Sequence, residues 1–220
     1  MPSNARLAFD GNVADIKRLL EFHEEKGGTA PGRRYGLEVL NKSAIVLITS
    51  YWEAYCEDIA AEGLPHLVEH LPTAEKLPKD LKKQIAKELE LDKNEIAVWA
   101  LTDDGWRDLL KKRLRKLQAD RNRRLNTPKS TQIDELFRSA LGVSRMSDSW
   151  KWVRLPADKS RKRLDKFVEL RGAIAHRGKA AESVKKKQVQ DYFDFVKRLA
   201  GRTGGEVNKY VRAATGKSLW

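Results

Sequence analysis

The stretch LEVLNKSAIVLITSYWEAYCEDIAAE, residues 37–62, carries the strongest structural signal in the chain. Its large apolar side chains recur every three or four residues, which places them on one face of an α-helix. They are Ile45, Ile48, Trp52, Tyr55 and Ile59. We therefore predict a helix over residues 37–62, ended by Gly63 and Pro65, and we expect it to form the centre of the core.

Similar spacing recurs on both sides of this segment, whereas the two-residue alternation typical of β-strands is lacking. The further predicted helices are residues 12–25, 79–90, 106–117, 132–141, 158–177 and 182–199. The apolar run 96–101 has no partner of strand character, so we interpret it as a buried connection. The predicted fold class is an all-α helical bundle, with one domain over residues 1–200 and a basic tail, 201–220, that is either docked or disordered.

The charge balance narrows the classes of partner. The chain has 44 Lys and Arg residues against 31 Asp and Glu, a formal net charge of +13. Such a charge attracts polyanions, either nucleic acid or an acidic membrane surface. The lone Cys56 excludes an internal disulfide and a site of paired thiolates. The polar N-terminus and the shortness of every apolar run predict a cytoplasmic protein that does not enter the membrane.

An arginine interrupts the apolar face of the predicted helix 158–177. Arg171 falls on the same face as three apolar side chains, Leu164, Phe167 and Ile174. A guanidinium in such a position costs desolvation free energy unless an anion meets it. That anion is either a core carboxylate, with Glu53 and Glu57 as the candidates, or a bound ligand.

Two histidine patterns offer candidate reactive or metal-binding groups. His176 lies five residues after Arg171, near the predicted helix end at Gly178. A histidine there either interacts favourably with the helix dipole or acts as an acid–base group, and spacing alone leaves both open. His66 and His70 are four residues apart, but prolines flank them and no cysteine assists, so we predict no metal site.

One segment matches a known motif. LDKFVELRGAIAHRG, residues 164–178, contains an arginine, four residues and a histidine, and it resembles the motif of the HEPN ribonuclease superfamily. The chain is most similar to the branch called RiboL-PSP-HEPN. The resemblance extends to SAIVLITSYWEAYCEDIA (43–60), to LNTPKSTQIDELFRSALGV (125–143) and to the tryptophan-containing loop before the motif. It therefore covers most of residues 37–199.

The resemblance implies a helical bundle, a two-fold homodimer with facing motif helices, and a metal-independent endoribonuclease without a cofactor. It implies that Arg171 and His176 are catalytic and that Glu53 holds Arg171 or orients His176. Gly172 departs from the family pattern, which often has a polar residue there. Such proteins act as toxins or defence effectors on tRNA, rRNA or mRNA, often with an antitoxin or defence-system partner. The alternatives are a catalytically silent module that binds RNA or protein, and a helix-turn-helix DNA-binding protein.

Basic residues indicate where RNA would bind. Residues 111–129 contain nine basic residues and one acidic residue, a density that favours phosphate contacts over a merely solvated face. A second basic cluster, residues 154–163, leads into the motif. Trp150 and Trp152 beside it either stack on unpaired bases or pack in the core. The candidate RNA-binding residues are Lys111, Lys112, Arg115, Arg121, Arg123, Arg124, Arg161, Arg163, Arg177, Trp150 and Trp152.

Overall fold

The computed structural model describes residues 2–27, 36–119, 127–177 and 183–220. Seven α-helices lie in these ranges: α1 Asn4–Gly27, α2 Glu38–His70, α3 Lys79–Glu90, α4 Gly105–Ala119, α5 Ser130–Leu141, α6 Ala157–Arg177 and α7 Lys186–Thr215. Three 3-10 helices connect them: Ala74–Lys76, Ala97–Leu101 and Met146–Ser149. The described residues form no β-strand, only an isolated bridge between Trp152 and Leu155. The all-α prediction is confirmed.

The central helix α2 organises the bundle. Helices α1, α4, α5, α6 and α7 all pack against it. The apolar face predicted from the sequence is buried, and Ile45, Trp52 and Ile59 are fully shielded from solvent. Burial of this face, rather than helix propensity, therefore provides most of the stability of α2.

The predicted end of α2 at Gly63 and Pro65 is wrong, because the helix continues to His70. Gly63 permits close packing instead: a Cβ atom there would lie 3.0 Å from the side chain of Leu141 in α5 and 3.4 Å from Val207 in α7. The absent side chain thus brings three helices together. Gly63, which the sequence suggested as a helix end, is instead the position where α5 and α7 approach α2.

The continuation of α2 past Pro65 is secured at its C-terminus by α4. Proline lacks a backbone N–H, so the helical hydrogen bond to the carbonyl of Ala61 is missing, while the later turns of the helix keep theirs. Arg107 donates hydrogen bonds to the carbonyl oxygens of Val68 and Leu71, the latter over 2.7 Å. Val68 lies in the last turn of α2 and Leu71 follows the helix directly, so these carbonyl groups have no partner within the helix. The guanidinium therefore caps α2 and attaches α4 to it.

The interpretation of residues 96–101 as a buried connection is wrong. Residues Ala97–Leu101 form a 3-10 helix, and most of the apolar side chains of the run are exposed, with 67% of Ile96 and 69% of Trp99 accessible to solvent. Only Leu101, at the end of the run, packs partly against the core. Its apolar character alone did not distinguish core from surface.

The tail that the sequence left open is docked. Helix α7 runs without interruption from Lys186 to Thr215, and Val207 and Val211 on it are fully buried. A Cβ atom at Gly204 would collide with the hydroxyl group of Tyr55. That hydroxyl donates a 2.8 Å hydrogen bond to the carbonyl of Ala200. The glycine therefore admits a tyrosine of α2 against α7.

Polar contacts fix α6 in the bundle. The carboxylate of Asp165 accepts hydrogen bonds from the backbone N–H of Ser130 at 2.7 Å and from its hydroxyl at 3.0 Å. Lys129 forms an ion pair of 2.7 Å with Glu169. Helix α6 thus satisfies donors at the start of α5. Among the described ranges, no helix is both long enough and apolar enough to cross a bilayer.

Candidate active site

Arg171 lies half-buried on α6, the helix that packs against α2. Its Nε atom is buried and has no hydrogen-bond partner among the described residues. The described side chains also provide no ion pair to its guanidinium, so the expected alternative of a core Arg–Glu pair is not formed. A partly desolvated cation without a bonded counter-ion favours the approach of an anion.

Glu53 occupies a half-buried position on α2, the helix against which α6 packs. Burial raises the pKa of its carboxyl group from 4.5 to about 7, and the positive charge of Arg171 acts in the opposite direction. The two groups therefore interact electrostatically without forming a hydrogen-bonded ion pair. The structure brings together the arginine and the acidic residue singled out from the sequence.

His176 is exposed in the last turn of α6, followed by the equally exposed Arg177. It lies five positions after Arg171, which corresponds to about 7.5 Å along the axis and about 140° around it. Between them, a Cβ atom at Gly172 would meet nothing within 4 Å. The imidazole is open to solvent, and there is free space beside the arginine.

The chain that follows the motif is anchored to the other helices. The backbone N–H of Val184 donates to a carboxylate oxygen of Glu38 at 3.3 Å, and its carbonyl accepts a 2.9 Å bond from Asn41. Lys186 forms an ion pair with Glu24 at the end of α1. The start of α7 is therefore held against α1 and α2.

Sequence reasoning missed a buried polar pair under the motif. Thr49 on α2 and Tyr192 on α7 are both fully buried, and their hydroxyl oxygens lie 3.0 Å apart. The available signal was a threonine in the apolar stripe of α2, four residues after Ile45. A hydroxyl at such a position needs a hydrogen-bond partner.

The basic residues predicted on α4 are exposed. Lys111, Lys112 and Arg115 reach solvent, and Lys111 forms a 3.0 Å ion pair with Asp108. Arg113 in the same run is instead nearly buried, and its guanidinium donates to the carbonyl of Ser139. The exposed basic face of α4 comprises Lys111, Lys112, Arg115 and Lys116. The candidates Arg121, Arg123 and Arg124 lie outside the described residues.

Two candidates near the start of α6 are occupied by contacts within the chain. Arg161 donates to the hydroxyl of Ser147 at 3.2 Å and forms a 2.8 Å ion pair with Asp148. Arg163 donates to the carbonyl of Asp191 at 3.0 Å. An RNA phosphate would have to compete with these partners.

The two candidate tryptophans differ in burial. Trp150 is 0% exposed, and its indole N–H donates a 2.9 Å hydrogen bond to Thr203 on α7. The base-stacking interpretation of Trp150 is therefore wrong, and the alternative of core packing is correct. Trp152 is half-buried, with its ring 5.9 Å from that of Phe195.

The histidines of α2 form a separate pair near its C-terminus. The rings of His66 and His70 are 4.4 Å apart, and His66 lies 3.2 Å from the carbonyl oxygen of Lys217. Burial lowers the pKa of His66. Within the part of the chain that the structure describes, no three His, Cys, Asp or Glu side chains are grouped so that they could hold a metal ion.

One of the comparisons with known proteins identifies a family. The family model described as RiboL-PSP-HEPN matches residues 12–208, from α1 to α7 and through the whole of α2 and α6. No curated protein and no solved structure matches the chain. This family suggests an RNase or an RNA-binding module. Because the match takes in nearly all of the 220 residues, the chain belongs to the RiboL-PSP-HEPN family.

Proposed function

We propose that this protein is a metal-independent endoribonuclease whose active site contains Arg171 and His176. One observation carries the proposal: the half-buried guanidinium of Arg171 has no bonded counter-ion among the described residues, and His176 is exposed one and a half turns further along the same helix. A cation that lacks a partner suits a phosphate, and an accessible imidazole suits proton transfer near neutral pH.

The chemistry requires four contributions. A base accepts the proton of the ribose 2′-hydroxyl, whose oxygen attacks the adjacent phosphorus, and positive charge stabilises the phosphorane. The bond from phosphorus to the 5′-oxygen then breaks, and an acid donates a proton to that oxygen. The products are a 2′,3′-cyclic phosphate and a 5′-hydroxyl. DNA, which lacks the 2′-hydroxyl, is resistant.

A homodimer supplies enough groups for these steps. One subunit offers a single motif arginine and a single motif histidine, and His176 cannot be base and acid in the same step. A two-fold axis beside α6 pairs the two histidines, so that one is the base and the other the acid. Both copies of Arg171 then contact the scissile phosphate.

Glu53 contributes through its protonation state. Burial favours its neutral form, with a pKa of about 7. A neutral carboxyl does not compete with phosphate for the charge of Arg171, whereas an ionised one does. Glu53 therefore positions the arginine in a way that depends on pH around neutrality.

The exposed basic face of α4 contributes electrostatic affinity for the RNA backbone. Arg107 joins α4 to α2 at Val68, fifteen residues after Glu53, which corresponds to about 22 Å along the helix. RNA bound at the motif would have to span a distance on the order of 20 Å to reach α4. The substrate class is cellular RNA, namely tRNA, rRNA or mRNA, and the role is that of a toxin or defence effector with an antitoxin or defence-system partner.

A second candidate function is a silent module that binds RNA or a partner protein. The observation that favours it is Gly172, which leaves open space where the family often has a polar side chain. Without that side chain, phosphate binding by Arg171 could persist while cleavage is lost. The two candidates differ in turnover, which an assay measures directly.

The test compares two histidines that both end helices. Purified wild type is incubated with total RNA in excess chelator, beside His176→Ala and the control His70→Ala, whose histidine lies in the last turn of α2. We expect cleavage by wild type and by His70→Ala, with cyclic phosphate ends, and none by His176→Ala despite retained RNA binding. Equal cleavage by the two variants removes His176 from the mechanism. Binding without cleavage by wild type supports the silent module.

A further inference from the structure

Tyr192 on α7 contacts α6 and α2 one helical turn before Arg171 and Glu53, respectively. Its ring stacks on Phe167 of α6, with centroids 4.0 Å apart and planes inclined by 12°. Its hydroxyl oxygen lies 3.0 Å from that of Thr49 on α2. Phe167 precedes Arg171 by four residues, and Thr49 precedes Glu53 by four, so each contact is on the same helix face as a site residue.

The hydrogen bonds give the tyrosine hydroxyl a defined direction. Thr49 donates its only hydroxyl hydrogen to the carbonyl of Ile45 at 2.8 Å. It can therefore only accept from Tyr192, whose hydrogen points to Thr49. The lone pairs of the phenolic oxygen are then directed away from Thr49, and the described residues provide no donor to them.

The positive charge of Arg171 acts on the hydroxyl group of Tyr192. Burial raises the pKa of the Tyr192 phenol well above its ordinary value, while the hydrogen bond with Thr49 and, to a smaller extent, the positive charge of Arg171 lower it. Arg171 in turn has a buried Nε–H without a described partner. A fully buried phenolic oxygen and a half-buried guanidinium with an unpartnered Nε–H thus lie beside neighbouring turns of α6, because the tyrosine ring stacks on Phe167 one turn before Arg171.

We propose that Tyr192, held by Thr49, is a positioning residue that orients the Arg171 guanidinium toward the scissile phosphate. This inference rests on the proposed ribonuclease function. A series of hydrogen bonds runs from Tyr192 through Thr49 to the carbonyl of Ile45. It orients the hydroxyl dipole of Tyr192 toward the buried side of the guanidinium and leaves the outer guanidinium nitrogens for the phosphate. Because Tyr192 is on α7, it ties the last helix to the motif.

The test removes one oxygen atom and keeps the ring. Tyr192→Phe is compared with Tyr55→Phe, which also deletes a buried hydroxyl, here one that donates to a backbone carbonyl of α7. Thr49→Val deletes the acceptor with little change of shape. We expect kcat to fall about tenfold or more in Tyr192→Phe and in Thr49→Val, since small displacements of a charged group are costly. We expect KM within about threefold of wild type, and Tyr55→Phe to retain wild-type kcat.

A second measurement does not depend on activity. The Nε–H signal of Arg171 is recorded in a proton–nitrogen correlation spectrum of the free protein and is identified by its loss in Arg171→Lys. We expect it to shift in Tyr192→Phe, where ring-current effects are conserved, and to stay in place in Tyr55→Phe. An unmoved Arg171 signal in Tyr192→Phe overturns the inference, whatever the activity. If wild type fails to cleave RNA, the proposed function fails, and this spectrum still decides the role of Tyr192.

Discussion

The raised pKa of Glu53 predicts that replacing this residue stabilises the protein at alkaline pH. The half-buried carboxyl has a pKa of about 7 in place of 4.5. Its ionised form is therefore disfavoured in the folded state, and the free energy of unfolding falls as pH rises from about 4.5 to about 7. Glu53→Gln keeps the shape of the side chain and removes this loss.

The magnitude follows from the pKa. A change from 4.5 to about 7 corresponds to about 3.4 kcal/mol at 1.36 kcal/mol per tenfold change in proton affinity. The carboxyl retains contact with solvent, which screens the effect, so we expect about 1 to 2 kcal/mol. Glu53→Gln should exceed wild type in stability by this amount at pH 8 and equal it at pH 4.5.

The assay is urea unfolding at both pH values and at one fixed protein concentration, since dimerisation would make stability depend on concentration. Glu69→Gln, which removes an exposed charge from the same helix, is the control. A loss of stability in Glu53→Gln at pH 8 would refute the reasoning. It would mean that the ionised carboxylate gains more from Arg171 than its burial costs.

Two further predictions concern helix packing and RNA affinity. Gly204→Ala should lower the free energy of unfolding by about 1 to 3 kcal/mol, because its Cβ atom collides with the Tyr55 hydroxyl. Thermal or urea unfolding measures this change. Wild-type stability in the variant would show that α7 does not need the close approach of Tyr55. Replacing Lys112 and Arg115 by alanine should weaken RNA binding and reduce the slope of log affinity against log salt by about 1 to 2. Lys83 and Lys87, exposed on α3, provide the control pair, and an equal loss of slope in both pairs would contradict a specific role for the basic face of α4.

The sequence predicted most of the fold because the helices bury periodic apolar faces. Helix α3 was predicted with its observed ends, and α5 and α6 within two residues at each end. The errors arose where a residue type has two physical uses. Gly63 ends helices in many sequences but here permits contact with Leu141 and Val207, and a sequence does not show which neighbour approaches.

The candidate site was only partly accessible to sequence reasoning. Arg171 stood out because a guanidinium breaks an apolar stripe, and the structure places Glu53 opposite it. Tyr192 was missed because it is distant in sequence from both. From the sequence, a tyrosine on the apolar face of an amphipathic helix indicates core packing. Only the fold shows that the hydroxyl of Tyr192 contacts Thr49.

The most direct test of the account asks whether one active site needs both subunits. Wild type and His176→Ala are co-expressed at varied ratios so that their chains pair at random, and RNA cleavage per total protein is measured against the wild-type fraction. If each site requires two imidazoles, activity follows the square of that fraction and is about a quarter of the wild-type value in an equal mixture. Activity proportional to the fraction, about half in that mixture, would contradict the shared site.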